Sequence, residues 1–164
     1  MAKPFFRFAD TVGDETGSAD AAVNGAVTPQ NFYLKCLSGQ KGLTVHRLLA
    51  YIRDTGSFDA GAYGNGITMA NGIEIALVGS DGAIKIDLLD GIPIKSSGDW
   101  ARQCFDIDHQ SFGQGDDFMT VRWTFTKTGM PLSVGPLESI RVTINDDLTD
   151  LVEHKFQFQG LVNE

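Results

Sequence analysis

Side chains on a β-strand point to alternate faces, so apolar–polar alternation marks a half-buried strand. Such alternation begins after Pro29. Residues 31–37 place Phe32, Leu34 and Cys36 on one face. Residues 43–53 fit two periods, because Leu48, Leu49 and Ile52 also form a helical stripe. Gly42 and the stop Asp54-Thr55-Gly56 bracket that run without a clear helix N-cap, so a strand is the preferred reading. Ile73, Ile75 and Leu77 then alternate with Glu74, and Ser80-Asp81-Gly82 supplies a hairpin turn, since Asp-Gly tolerates positive φ. The return strand is expected to turn Ile84, Ile86 and Leu88 inward and Lys85 and Asp87 outward. A second turn at Asp90-Gly91 leads to Ile92-Pro93-Ile94, which the proline confines to an edge.

Residues 100–108 alternate less cleanly, with Phe105 and Ile107 on one face and Cys104, Asp106 and Asp108 on the other. Met119, Val121, Trp123 and Phe125 form a strong inward set, as do Ile140, Val142 and Ile144. The last strand runs from Val152 to about Phe158, with Val152, His154, Phe156 and Phe158 on one side. About eight strands with polar turns, and no βαβ spacing, predict an all-β protein. A two-sheet antiparallel sandwich fits strand number and length, and a jelly roll is the expected form. Residues 29–164 are expected to form this sandwich.

Two stretches break the pattern. Residues 9–28 are small, polar or acidic and sustain neither period. Residues 1–28 therefore read as a surface loop or as an extended N-terminal arm, anchored on a neighbouring subunit through Phe5, Phe6 and Phe8. Residues 55–72 hold five glycines and read as a contact loop, in which Phe58, Tyr63 and Met69 offer apolar area.

Composition narrows the classes. Of 164 residues, 45 are Ile, Leu, Val or Phe, enough to fill a core where disordered chains fall below roughly 20%. The net charge of −8 disfavours nucleic acid and anionic membrane as partners. No apolar run approaches the roughly 20 residues of a membrane span. The opening residues predict no signal peptide, since Arg7 interrupts a short apolar run and Asp10 follows. Cys36 and Cys104 are too few for a disulfide framework and read as buried thiols, with a bridge between them left open.

The candidate chemistry is thin. None of His46, His109 and His154 lies in His-Glu-x-x-His, and neither Gly-x-Ser-x-Gly nor Cys-x-x-Cys occurs. His154 reads as a hydrogen-bonded core histidine. Asp106 and Asp108 share a strand face and could approach one cation, with Asp116 and Asp117 completing a calcium site. Solvated carboxylates are the preferred reading, because the spacing matches no EF-hand loop. Gly61 to Gly66 lacks the lysine and following helix of a phosphate loop. No catalytic residue and no cofactor are expected.

The segments Gly64-Asn65-Gly66-Ile67-Thr68, Ala70-Asn71-Gly72-Ile73, Asp90-Gly91-Ile92-Pro93-Ile94-Lys95 and Asp99-Trp100 occur in a chain that also carries Val121-Arg122-Trp123-Thr124-Phe125 and Leu151-Val152-Glu153-His154. In general character, residues 43–162 resemble small virion structural proteins of tailed bacteriophages. That resemblance implies a capsid-associated β-sandwich, often a symmetric oligomer, without enzymatic activity. It carries over no functional residue.

The expected function is a decoration or cement protein that stabilises a capsid, made in the host cytoplasm and found in the virion. Its expected partners are further copies of itself, as a homotrimer, and the major capsid protein or another virion protein. A jelly-roll capsid subunit is a close variant. A glycan- or receptor-binding module of a tail or fibre, with Trp100, Trp123, Tyr33, Tyr51 or Tyr63 as stacking faces, is a second class. A calcium-dependent hydrolase built around Asp106 is a third.

Overall fold

A computed structural model describes residues 2–103, 106–111, 115–125 and 129–164. Among these, ten strands form: β1 (Ala2–Phe8), β2 (Gln30–Lys35), β3 (Gly42–Asp54), β4 (Ile73–Val78), β5 (Ile84–Asp87), β6 (Asp106–Ser111), β7 (Asp117–Thr124), β8 (Leu132–Val134), β9 (Ser139–Ile144) and β10 (Glu153–Asn163). One sheet runs β1-β10-β3-β7-β6, with β8 pairing the start of β3; the other runs β2-β9-β4-β5. Every pairing is antiparallel, which makes this an all-β two-sheet sandwich. The pairs are also nested: β1 lies on β10, β2 on β9, β3 on β7 and β8, and β4 on β5.

The period-two pattern builds the core. Phe32, Leu34, Ile73, Ile75, Ile140, Val142 and Ile144 from the smaller sheet are buried with Leu48, Ala50, Ile52, Val121, Trp123, Phe156 and Phe158 from the larger. β3 is a strand over its whole length, because Leu48, Ala50 and Ile52 are buried while Leu49, Tyr51 and Arg53 are only half-covered. A helical stripe would instead have buried Leu48 and Leu49 together. A register shift at Gln159/Gly160 lets β10 follow the long β3.

Several expectations need correction. Residues 1–28, read above as a surface loop or an extended arm, lie along the body. β1 is the edge strand of the larger sheet, and the chain beyond it is tied to the body by Ala9 N–H to the Phe156 carbonyl and Ala21 N–H to the His154 carbonyl. Ala9 and Ala21 are buried in the core. All four residues of β5 are exposed, including Ile84 and Ile86. β5 ends its sheet, and a register shift at Leu77/Val78 breaks the alternation that was expected to turn both side chains inward. Trp100 lies not in a strand but in a 3-10 helix, Ser97–Arg102, that buries it completely. Cys36 is a half-buried free thiol, whereas Cys104 and Phe105 lie outside the described residues.

Candidate functional site

The residues singled out as contacts divide sharply. Tyr63 and Met69 are core, and so is Phe5 on the inner face of β1. They offer no surface to a neighbour. Phe58 is half-buried against the His109 ring, at 5.5 Å between centroids. Phe6 and Phe8 face outward, 67% and 42% exposed.

The environment of Phe6 and Phe8 differs from that of the other sheet edges. The free side of β2 is covered: Tyr33 and Asp10 exchange backbone hydrogen bonds, and Lys35 N–H donates to the Gly13 carbonyl. β5 is four residues long and carries a register shift. β6 carries Asp106 and Asp108, and charge discourages strand addition. β1 is seven residues long with unbroken register. The bond from Ala9 N–H to Phe156 sets its hydrogen-bonding phase. Phe5 and Arg7 therefore bond to β10, while Pro4, Phe6 and Phe8 turn their backbone groups away from it. Pro4 falls where its missing N–H costs no bond to β10.

The aspartates act mainly as loop anchors. Asp146 is buried and accepts backbone N–H groups of Ala70, Asn71 and Gly72. Asp54 holds Thr55 and Asn65, and Asp20 holds Ala22 and His154. Asp117 accepts from the Phe58 N–H and lies 2.9 Å from His109 Nε2; bonds from Ser111, Phe58 and His109 hold its carboxyl below the usual range. Asp108 pairs with Arg122 at 2.9 Å and Asp116 with Arg53 at 3.6 Å. The carboxylates considered for calcium thus have protein partners of their own. Among the described residues no group of three or more His, Cys, Asp or Glu is placed to hold a metal.

A buried polar chain joins the irregular segments. Trp100 Nε1 can only donate, so its 3.4 Å contact ends on Tyr63 Oη. The Tyr63 proton is then free for His154 Nε2, 2.7 Å away. The histidine is fully buried, which lowers its pKa to about 4, while the Ala21 backbone and Asp20 act in the opposite direction. Burial likewise raises the Tyr63 pKa. His154 is therefore the core histidine that its strand position suggested.

Register also creates a group that sequence spacing hides. Tyr33 lies opposite Arg141 and Lys35 opposite Ser139, on the outer face of the smaller sheet. They line a depression of about 410 Å³ together with Ser80, Pro136, Leu137 and Glu138. No family model, curated protein or solved structure matches this chain.

Proposed function

We propose that this chain is a non-enzymatic structural protein of a virus particle, a decoration or cement protein that binds a bacteriophage capsid and associates with its own copies. The observation that carries the assembly role is β1, an uncovered edge that displays Phe6 and Phe8 and offers their backbone groups on its free side, though no N–H at Pro4. Exposed apolar side chains on an open strand edge favour contact with another chain. Exposed Ile84, Ile86 and Leu137 add apolar area elsewhere. The nested pairing is consistent with a jelly roll, an architecture that recurs in capsid proteins, and the capsid reading rests on that analogy of fold.

The glycan reading has less support, since Trp100, Trp123 and Tyr63 are core and only Tyr33 and Tyr51 keep part of their surface. Analytical ultracentrifugation of the pure protein, and co-sedimentation with phage particles, test the proposal. Self-association and particle binding are expected, both weakened in Phe6→Ser/Phe8→Ser at unchanged fold. A monomer that ignores every particle tested would overturn it.

A further inference from the structure

The depression beside Arg141 is cationic in a chain of net charge −8. Arg141 has no carboxylate partner among the described residues, and Lys35 makes no ion pair there, although its charge helps to hold the exposed Asp14 carboxyl below its usual range. Lys35 Nζ lies 4.7 Å from the centre of the Tyr33 ring. Arg141 reaches only the Gly82 carbonyl, at 3.4 Å, and its Nε is buried with no partner. The carboxylate that lines the depression is already engaged: Glu138 takes Lys85 Nζ at 2.7 Å and Gly135 N–H at 2.9 Å. Those two bonds, with Lys85 the larger cause, hold its pKa low. Ser80 and Ser139 add hydroxyls, and Pro136 and the 76% exposed Leu137 form an apolar wall.

We propose that this depression binds an acidic, apolar peptide segment of a partner chain. The planar guanidinium of Arg141 grips one carboxylate through two parallel N–H donors. Lys35 supplies a second charge over the Tyr33 ring, and Leu137 and Pro136 meet an adjoining apolar side chain. A phosphate ion fits less well, because it would leave the apolar wall of Pro136 and Leu137 uncovered. The inference rests on the reading that this protein docks onto other chains, but not on that partner belonging to a capsid.

Fluorescence anisotropy with a labelled hexapeptide of alternating Leu and Glu tests it, with the Leu–Gln analogue and inorganic phosphate as comparison probes. The Glu peptide is expected to bind at least tenfold tighter than the Gln peptide and to weaken as salt is added. Arg141→Gln and Arg141→Lys should each lose at least tenfold, and Lys35→Gln several-fold, with melting temperatures near wild type. Equal binding of the two peptides, wild-type affinity in both Arg141 variants, or displacement of peptide by equimolar phosphate would each defeat the proposal. Particle co-sedimentation separates the two readings. Wild type that fails to sediment but binds the Glu peptide contradicts the capsid role alone. Arg141→Gln that sediments normally but has lost peptide binding leaves both readings standing, with the capsid contact elsewhere.

Discussion

At the residue scale the acidic composition has a mechanical use. A buried carboxylate that accepts several backbone N–H groups satisfies donors that a loop cannot pair within a sheet. Asp146 does this for residues 70–72, so Asp146→Ala leaves three N–H groups short of an acceptor. A cost of about 2–4 kcal/mol is expected, from about 1.5–3 for a hydrogen bond to a charged group plus burial of unpaired donors. The neighbouring Asp147→Ala should cost far less, because Asp147 is exposed and its side chain serves Thr149. Urea melts of the two variants check the contrast. In the sequence the two aspartates are adjacent and identical. What separates them is a meeting of residues more than seventy positions apart, which local pattern does not encode.

His154 gives a pH dependence of known sign. Its folded pKa of about 4 lies below the ordinary 6.5. The unfolded chain therefore takes up the proton first, and the histidine's contribution is complete above pH 6.5 and is lost as pH falls towards 4. The loss is about 3 kcal/mol, since each pH step between 6.5 and about 4 removes about 1.4 kcal/mol. The carboxylates with lowered pKa, such as Asp117, titrate below that window. Melting temperature measured from pH 7 to 4 should fall for wild type and stay flatter for His154→Gln. Equal slopes would place the loss on another group.

At the element scale, alternation located the strands well and judged exposure poorly wherever a neighbour was missing. β3, β7 and β9 lie inside their sheets, and their inward residues are buried as expected. β5 shows the same alternation in sequence, yet it is an edge with a register shift. β1 was missed because Phe5-Phe6-Arg7-Phe8 has no simple alternation: Arg7 faces inward over the Phe5 ring and Phe6 faces out. The bulge in β10 was equally hidden, and it sets a steric test. A Cβ on Gly160 would stand 2.0 Å from the Thr44 carbonyl oxygen, a backbone atom of the paired strand. Gly160→Ala should therefore break the β3–β10 register and cost upwards of about 2 kcal/mol, a large effect for one methyl group. Gly82→Ala, in open space at φ +80°, should cost only about 1–2 kcal/mol of left-handed strain. Chemical denaturation of both variants ranks them, and a Gly160→Ala protein as stable as wild type would contradict the close approach.

At the scale of the whole molecule, what decides the domain boundary is whether residues 1–28 are part of the body. Their composition suggests mobility, because small and polar residues bury little area. Here they gain order by lending backbone rather than side chains. Asp10 pairs with Tyr33 and Asn24 with Asp147 as isolated bridges, and Asp20 Oδ1 accepts the His154 N–H. Ala9 and Ala21 fill core positions where nothing larger than a methyl group is supplied. Removing residues 1–28 would strip β1 from β10, uncover the edge of β2, and open the wall beside His154 and Phe156. Each loss leaves buried donors and acceptors without partners, at about 1–3 kcal/mol apiece. Together such losses are comparable with the roughly 5–15 kcal/mol that holds a typical domain together. The truncated chain should therefore be unfolded or aggregated in circular dichroism and size-exclusion chromatography. A truncated protein that melts cooperatively near the wild-type temperature would show that residues 29–164 fold alone and that the first 28 are an arm.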